Sequence, residues 1–347
     1  MTHLFYKTRQ SFTAFVGGVL NEFNSNVIIN GSKYAIVEAD EYDRSFLNLN
    51  PKIGLITSID SDHLDVYGNF EEVKKSFNKF IKKITDKVLV SKDLGINGIT
   101  YSLNKKADYS ASNINFSKKG YFFDLNTPSN TYKSVFFSQM GLHNLLNAVG
   151  AFAISSQVGI NEKELCKALS TFKGIKRRFQ VIVNSKKHII IDDYAHHPSE
   201  IKVTLDSLKL ISKKRIIAII EPHRYSRLSS LLENFIDSLH YADSIYLLPI
   251  HSAGETNKKK INNAIFRKKL KKHYPKKQVL HLQNQVAHAG RAREDEVRRH
   301  AENFDNRRLH LVVLHNQHVP FVVPFALLLG DEHRAVGGQV DQLLVRW

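Results

Sequence analysis

Two hydrophobic periods alternate along the chain. Runs rich in β-branched residues, such as residues 33–40 (KYAIVEAD) and 52–60 (KIGLITSID), predict buried strands. Residues 69–84 (NFEEVKKSFNKFIKKI) repeat apolar side chains at helical spacing, and Asn69 stands where a helix N-cap is expected. Strands that alternate with helices in this way indicate right-handed crossovers and parallel sheets. The first part of the chain is therefore predicted to be an α/β domain.

The pattern changes and then returns in the second half. Residues 98–140 form short alternating stretches separated by Asn, Ser and Gly, which predict a small antiparallel patch within the α/β domain. Residues 141–159 predict a helix, and residues 161–174 predict another that Gly174 ends as the C′ glycine. The later α/β elements are predicted as follows: strands at 188–194, 214–222 and 243–250, and helices at 198–212 and 227–242.

The 347 residues therefore divide into two predicted α/β domains, residues 1–180 and 181–284. Beyond them the composition changes, since no isoleucine follows Ile265 and no lysine follows Lys277. A frameshift or a chimeric assembly explains such a change, and a divergent appended domain is the alternative. We expect residues 285–347 to be unrelated to the preceding domains or disordered.

Basic residues outnumber acidic ones, 50 to 33, and the formal net charge is +17. Such a charge raises nucleic acids, membrane surfaces and phosphorylated substrates as partners. The lysines are scattered among Asn and Ile, which indicates compositional bias, and no recognised nucleic-acid motif accompanies them. No apolar stretch approaches the roughly 20 residues that span a bilayer. We therefore expect neither nucleic acid nor a membrane as a partner.

Cysteine usage bears on the compartment. Cys166 is the single cysteine, so an intrachain disulfide is excluded. It stands within a helical pattern, which indicates a small buried side chain. One cysteine fits a reducing environment, and we expect a cytoplasmic protein.

Carboxylates follow two predicted strands of the first domain. Glu38 lies at the end of residues 33–40, and His63 follows residues 52–60 within an acidic turn. Carboxylate oxygens at a strand end can hold Mg²⁺ while leaving room for water and phosphate. Glu38 and His63 converge on one ion if the two strands are neighbours. An acidic run after a strand is otherwise a solvated loop.

Amide, imidazole and guanidinium groups mark two further candidate sites. His143, Asn144 and Asn147 lie at the start of a predicted helix, where their polar edges suit an adenine; helix capping is the alternative. Arg177 and Arg178 precede the second domain, where guanidinium groups suit phosphate oxygens or form a salt bridge between domains.

Two strand ends of the second domain concentrate polar side chains. Residues 191–200 (IDDYAHHPSE) set Asp193 beside His196, and this spacing alone indicates a metal site or an acid–base pair. In EPHRYSR, Arg224 and Arg227 lie three residues apart at a helix start, so both can bind one carboxylate. Both stretches fall at the carboxyl ends of strands, where open parallel sheets bind ligands.

Five stretches occur in the order in which the Mur ligase family carries them: VEADEYDRSFLNLNPKIGLITSIDSDHLDVYGN, GLHNLLNA, GIKRRFQ, DDYAHHPSEI and EPHRYSR. The chain resembles this family from about residue 13 to about residue 284. The resemblance implies a partial central ATPase-type domain within residues 1–180, followed by a Rossmann-like α/β domain that binds the amino acid, residues 181–284. The stretch DRSFLNLNP is more similar to the members that add L-alanine than to those that reattach recycled murein tripeptide, which stay the alternative.

The resemblance implies an ATP-dependent ligase of peptidoglycan precursor biosynthesis that joins L-alanine to UDP-N-acetylmuramate through an acyl phosphate. ATP and Mg²⁺ are the implied cofactors, and Glu38, His63 and Arg178 the implied catalytic groups. By motif position, the implied contacts are Glu38 and His63 on Mg²⁺; His143, Asn144 and Asn147 on adenine; Arg178, with Arg177 beside it, on phosphate; Asp193 on the ribose; and Tyr194, His196, His223, Arg224 and Arg227 around L-alanine.

The chain departs from the family at its start. It contains no Gly-Lys-Thr or Gly-Lys-Ser, the end of the family's phosphate loop, whose lysine and hydroxyl hold phosphates and Mg²⁺. Its start, MTHLFYKTRQSFTAFVGG, resembles the helix after that loop. We therefore expect the uridine-nucleotide domain and the loop to be missing, and this chain alone to have little or no ligase activity. A non-catalytic basic binding fragment is the alternative from another class, and the oligomeric state stays open.

Overall fold

The computed structural model describes residues 1–61, 63–117, 119–185, 188–211 and 213–281, together with the backbone of residues 309–314. The chain divides into two compact units, Met1–Lys176 (unit 1) and Arg177–Trp347 (unit 2). Among the described residues, none of the helices combines the length and the apolar composition that crossing a bilayer requires.

Unit 1 combines helices with two sheets. Its elements are α1 (Thr2–Lys7), β1 (Phe12–Leu20), β2 (Ser25–Asn30), β3 (Tyr34–Val37), β4 (Ile53–Ile56), α2 (Leu64–Tyr67), α3 (Phe70–Lys83), β5 (Lys87–Ser91), β6 (Ile99–Leu103), β7 (Tyr109–Ser117), β8 (Gly120–Asn126), β9 (Thr131–Phe137), α4 (Leu142–Gln157) and α5 (Glu162–Leu169). Short 3₁₀ helices cover Tyr42–Asn48 and Lys92–Leu94.

The smaller sheet of unit 1 has the order β2-β1-β3, with β1 antiparallel to β2 and parallel to β3. The larger sheet has the order β4-β5-β6-β7-β8-β9. It is parallel from β4 to β7 and antiparallel from β7 to β9, so the predicted antiparallel patch is confirmed for β7–β9, whereas β6 belongs to the parallel part. Helix α4 packs on this sheet and buries Phe152 completely.

Helix α3 follows the predicted pattern closely. It begins directly after Asn69, whose side-chain Oδ1 accepts the backbone N–H of Glu72 at 3.1 Å. Val73 and Phe80 lie buried on one face, as the apolar spacing predicted. The predicted N-cap is therefore confirmed.

Replacing Asn69 by alanine is expected to lower the free energy of unfolding by about 1 kcal/mol, because the cap acceptor for Glu72 is lost. Chemical denaturation followed by far-UV circular dichroism measures the change. Asn69→Asp is the control, since aspartate keeps the acceptor oxygen. An equal loss in both variants would contradict the capping role.

Unit 2 contains one six-stranded sheet with helices. Its elements are β10 (Gln180–Asn184), β11 (His188–Asp193), α6 (Pro198–Ile211), β12 (Arg215–Ile220), α7 (Tyr225–Ser230), α8 (Leu232–Ser238), β13 (Ser244–Leu247), α9 (Asn263–His273), β14 (Gln278–His281) and β15 (Leu309–Leu314). The strand order is β10-β11-β15-β12-β13-β14, and only the β10–β11 pair among these strands is antiparallel.

Strand β15 comes from residues 285–347, which we expected to be unrelated to the preceding domains or disordered. Its six residues pair in parallel with β11 on one side and with β12 on the other. The expectation of disorder is therefore wrong for residues 309–314, because their backbone supplies the partner that both neighbouring strands need. The rest of residues 285–347 lies outside the described residues.

Three other local predictions are wrong. The resemblance implied a helix through the N-terminal stretch, but α1 ends at Lys7 and β1 follows. Helix α5 ends at Leu169, well before Gly174, which has a φ of +80° in the following loop. The helix predicted over residues 227–242 is interrupted at Leu231, where the Ser230 hydroxyl donates back to the carbonyl of Ser226 at 3.0 Å.

Candidate ligand-binding sites in the two units

Glu38 lies directly after β3 and is exposed. Its backbone N–H donates to the carbonyl of Phe15 at 2.9 Å, and its Oε2 accepts the N–H of Gly17 at 2.7 Å. The other oxygen, Oε1, makes no hydrogen bond with any residue that the structure describes. The backbone of β1 thus orients the carboxylate while one oxygen stays available to a ligand.

His63 is the N-cap residue of the short helix α2 and has left-handed backbone angles (φ 54°, ψ 34°). Its Nε2 lies 3.8 Å from Oε1 of Glu41, and its ring meets that of Tyr42 at 5.0 Å. The Tyr67 hydroxyl donates to the Glu41 carbonyl at 2.6 Å and so ties α2 to the loop after β3. The two predicted metal-binding stretches therefore meet through His63 and Glu41.

Strands β3 and β4 are not neighbours within the described sheets: β3 belongs to the smaller sheet and β4 to the larger one. The condition under which Glu38 and His63 were expected to converge is therefore not met by strand pairing. The reason is that β3 pairs with β1, a strand that the sequence pattern did not reveal. Contact occurs instead through the loops that follow the two strands.

The side chains in the loops after β3 and β4 can bind a divalent cation. Mg²⁺ prefers oxygen ligands and keeps several waters, so it needs few protein groups. Glu38 offers one exposed carboxylate oxygen. Among the residues with described placement, no three His, Cys, Asp or Glu side chains form a ready-made cation cage. An ion at this edge therefore depends on water or phosphate oxygens for most of its shell.

Gly17 leaves space for the Glu38 carboxylate. A Cβ at this position would lie 3.0 Å from Oε1 of Glu38, so the carboxylate would have to move. Gly17→Ala is therefore expected to weaken Mn²⁺ binding, used as a Mg²⁺ probe, by roughly tenfold, the scale of changes in groups that orient a metal ligand. Water-proton relaxation with Mn²⁺ measures the affinity.

Two further variants serve as the comparison and the control for this prediction. Glu38→Ala is expected to weaken Mn²⁺ binding more than Gly17→Ala does. Glu71→Ala removes an exposed carboxylate from α3 of the same unit and is expected to have no effect. Equal Mn²⁺ affinity in all three variants would remove Glu38 from any metal site.

The predicted adenine-contacting residues lie in the first turns of α4. Gly141 precedes the helix with a φ of +88°, and a Cβ there would lie 2.7 Å from Cε1 of His143. The side-chain amide of Asn144 donates to the carbonyl of Met140 at 2.8 Å, and Asn147 is exposed. Spacings of three and four residues place the three side chains on one side of the helix.

The second site lies on unit 2. Strands β11, β12 and β13 run parallel, so their carboxyl ends share one edge of the sheet. The loops after these strands carry the predicted stretches DDYAHHP and EPHRYSR. Alternation of strands and helices thus brings together side chains that are distant in sequence, as predicted.

Tyr194 is the centre of an aromatic and cationic cluster. The guanidinium carbons of Arg177 and Arg178 lie 5.0 and 5.4 Å from the centre of its ring. Its backbone N–H donates to the carbonyl of Arg177 at 2.7 Å, and the edge of the His196 ring meets it at 5.0 Å. These contacts concentrate positive charge at the sheet edge.

Glu200, which the sequence reasoning missed, organises the start of α6. Its Oε2 accepts the backbone N–H groups of His196 and His197 at 3.0 and 3.1 Å, and its Oε1 lies 3.6 Å from Nη1 of Arg178. Burial works against ionisation, but the His196 imidazole, these N–H groups and Arg178 outweigh it, so the pKa of Glu200 is lowered. The signal was present as an acidic residue in the first helical turn.

Asp193 faces inward. It is 4% exposed, and its two carboxylate oxygens accept the backbone N–H of Ala195 at 3.0 Å and the hydroxyl of Thr204 at 2.8 Å. Burial raises the pKa of Asp193 from its ordinary value of 3.8 to about 6. Both bonds lie within unit 2, and the bond from Thr204 joins the end of β11 to α6.

Arg227 is nearly buried, at 7% exposure, and its Nη1 lies 3.1 Å from Nδ1 of His223. A guanidinium group only donates, so Nδ1 accepts and His223 carries its ring hydrogen on Nε2. Arg224 precedes α7 with a φ of +67°, and its N–H donates to the carbonyl of His251 at 2.8 Å. Two arginines and a neutral imidazole at one edge can bind a carboxylate.

The loop after β13 was missed as part of this edge. His251 stacks on His223, with 5.2 Å between ring centroids and 15° between ring planes. Glu255 accepts the backbone N–H and the hydroxyl of Ser226 at 3.0 and 2.6 Å, and so caps α7. The usable signal was HSAGE at the carboxyl end of a predicted parallel strand, next to two ends already selected.

Family models match two consecutive parts of the chain. Residues 18–155 match the Mur ligase middle domain, and residues 177–301 match the Mur ligase, glutamate ligase domain. The second match extends past residue 284 into the stretch of changed composition. Both matches agree with the family resemblance of the five ordered stretches.

Curated relatives carry one name. The UDP-N-acetylmuramate--L-alanine ligase of Christiangramia forsetii is 42% identical over 256 residues, which are 73% of this chain and 57% of that protein. The protein of the same name from Flavobacterium psychrophilum is 40% identical over 264 residues, 75% of this chain and 59% of that protein. The chain thus spans a little over half the length of these relatives.

Solved structures agree in fold. The UDP-N-acetylmuramate-alanine ligase of Thermotoga maritima matches with a TM-score of 0.69 and 22% identity, over 91% of this chain and 68% of that one. MurF ligase of the same organism, in complex with ADP, matches with a TM-score of 0.63 and 16% identity, over 90% and 73% of the two chains. With both domain models in order and this fold, the chain belongs to the Mur ligase family.

Proposed function

We propose that this chain is the nucleotide- and amino-acid-binding part of an ATP-dependent ligase that joins L-alanine to UDP-N-acetylmuramate. The observation that carries the proposal is the 42% identity to the Christiangramia forsetii protein of that name over 256 residues. The match covers 57% of that protein, and we assign the binding of the uridine nucleotide in the proposed reaction to the rest of it.

The proposed reaction transfers the γ-phosphoryl group of ATP to the muramate carboxylate and forms an acyl phosphate. The amine of L-alanine then attacks the acyl carbon, and phosphate leaves as the amide forms. Catalysis of these steps rests on positioning and on cations around the phosphates.

Unit 1 supports the ATP half of the proposal. Glu38, with His63 as the second protein group, would hold Mg²⁺, which supplies charge neutralisation at the phosphates when bound. His143, Asn144 and Asn147 present amide and imidazole edges on one side of α4, where they suit an adenine.

Unit 2 supports the amino-acid half. Arg227 is buried and oriented by His223, so its guanidinium is pre-organised for a carboxylate, with Arg224 as the second cation. Tyr194 and His196 flank this site, and Arg178, exposed beside Tyr194, is suited to phosphate. Asp193 is the proposed ribose contact, although its oxygens already accept hydrogen bonds from Ala195 and Thr204.

Product formation tests the proposal directly. The 347-residue chain is incubated with ATP, Mg²⁺, UDP-N-acetylmuramate and labelled L-alanine, alone and together with the part of the Christiangramia forsetii protein that it does not span. We expect UDP-N-acetylmuramoyl-L-alanine and released phosphate only in the mixture or in a fusion of the two parts. A fusion that is folded and inactive would contradict the proposal.

The alternative amino substrate is tested in the same assay. A murein tripeptide replaces L-alanine at equal concentration. Efficient use of the tripeptide and poor use of L-alanine would reassign the chain to the recycling ligases of the family. The basic-fragment alternative is tested by binding to single-stranded and duplex DNA at low ionic strength, where we expect none.

A further inference from the structure

Three imidazoles form a row along the carboxyl edge of the unit 2 sheet. The ring centroids of His196 and His223 are 5.2 Å apart with 67° between the planes, and those of His223 and His251 are 5.2 Å apart and nearly parallel. His223 is the middle ring, in an edge-type contact with His196 and a stacked contact with His251.

The backbone fixes His251 in this position. Its N–H donates to the carbonyl of Pro222 at 2.9 Å, and its carbonyl accepts the N–H of Arg224 at 2.8 Å. An isolated parallel bridge therefore joins residues 223 and 251. These bonds involve no side-chain atom of His251, so a substitution there removes the ring and leaves the loop in place.

The protonation state of His223 decides what Arg227 can do. Nδ1 of His223 accepts from Nη1 of Arg227, which requires the neutral ring. A second proton would turn the acceptor into a donor and set two cations 3.1 Å apart. Arg227 would then lose the Nδ1 acceptor that orients its guanidinium group.

We propose that His251 is a positioning residue of the amino-acid site: by stacking on His223 it excludes water from one ring face and keeps the neutral tautomer that orients Arg227. The nature of the ligand, an α-amino acid carboxylate, rests on the proposed function. The effect of His251 on His223 does not.

Burial and the charged groups around His223 all lower its pKa. Burial, and after it the positive charges of His196, Arg227, His251 and Arg224, together lower the pKa of His223 from 6.5 to about 3. These groups come from the loop after β11, from the start of α7 and from the loop after β13. Loss of the His251 ring exposes one face of His223 and removes one of these charges, so both changes raise its pKa towards 6.5.

Nuclear magnetic resonance titration of the full chain with ring-¹³C-labelled histidine tests the proposal. His223→Gln assigns the His223 signal. In the unsubstituted chain we expect this signal to stay constant between pH 5 and 8. In His251→Ala we expect it to titrate within this range. In His251→Phe we expect it to stay constant, because a phenyl ring covers the same face.

The outcomes separate the possibilities. A His223 signal that stays constant in His251→Ala, or that titrates equally in His251→Phe, overturns the proposal. His251→Gln, which also removes the stacked ring, replaces His251→Ala if that variant does not fold. A purely structural role of the loop would lower the melting temperature without moving the His223 titration.

L-alanine serves as the ligand probe in the same samples. In His251→Ala we expect its dissociation constant to rise at least about fivefold more between pH 8 and pH 5 than in the unsubstituted chain, the scale of about 1 kcal/mol in binding. If His223 titrates as expected but L-alanine perturbs no signal in any variant, the amino-acid function fails while the action of His251 on His223 stands.

Discussion

Replacing Arg227 by alanine is expected to lower kcat/KM for L-alanine by about 30-fold or more in the ligase completed with its uridine-nucleotide part. Arg227 is 7% exposed and is held by Nδ1 of His223 at 3.1 Å. Removing one member of a buried, hydrogen-bonded charge pair costs about 2–5 kcal/mol, since the partner carboxylate is then left desolvated. Steady-state kinetics with varied L-alanine measures the loss.

Matched variants separate charge from geometry. Arg227→Lys keeps the positive charge and loses the planar fork, so we expect an intermediate loss. Arg224→Ala removes the second cation and should raise the KM for L-alanine. Arg9→Ala removes an exposed arginine of unit 1 and should change nothing. An unchanged KM in folded Arg227→Ala would contradict the carboxylate role.

Raising the pH from 4 to 7 is expected to reduce the contribution of Asp193 to the free energy of unfolding by about 2 kcal/mol. Its folded pKa is about 6, because the carboxyl group is buried, whereas the unfolded value is about 3.9. Between these values the folded state binds more protons than the unfolded state. Stability due to this group is therefore complete only well below the unfolded pKa of about 3.9, and it is lost as the pH rises through 6.

The variant Asp193→Asn measures the pH-dependent contribution of Asp193 to the free energy of unfolding. Asparagine can accept from Ala195 and donate to Thr204, so both contacts of Asp193 persist. We expect the unfolding free energy of the variant, relative to the unsubstituted chain, to rise by about 2 kcal/mol between pH 4 and pH 7. Asp237→Asn removes an exposed carboxylate from the same unit and is the control.

The same variant bears on the ribose role. A relative stability that does not change with pH would show that Asp193 is not held in the buried state described above. The other informative result is a relative stability of the variant that changes with pH as expected, together with an unchanged KM for ATP in the completed ligase. That result would show that Asp193 joins β11 to α6 and has no contact with the ribose.

Local sequence patterns were sufficient to predict those helices and strands whose ends are marked by nearby residues. Helix α3 has an N-cap at Asn69 and one apolar face, and both features are local. Strand β1 was missed because Gly17 and Gly18 interrupt its apolar run, and because pairing with β2 and β3 stabilises it only in the folded unit. Non-local pairing of this kind leaves no local pattern.

In the candidate sites, too, some residues were predictable from the sequence, and others depend on contacts between distant residues. Tyr194, His196 and Arg227 were predictable, because strand ends of one parallel sheet share an edge. His251 lies at the same kind of strand end, but its role depends on stacking with His223, which has no sequence spacing to reveal it. The predicted meeting of Glu38 with His63 rested on a strand adjacency that depends on long-range pairing.

The position of β15 in the sheet also determines which part of unit 2 folds last. Residues 221–308 separate β12 from the strand that pairs with it, and closing a loop of this length costs on the order of 4 kcal/mol of chain entropy. During synthesis β11 and β12 leave the ribosome long before β15, with facing edges that lack their partner. The centre of this sheet is therefore the last part to close, and a change in the sequence of β15 is expected to affect the pairing of two strands that are translated about a hundred residues earlier.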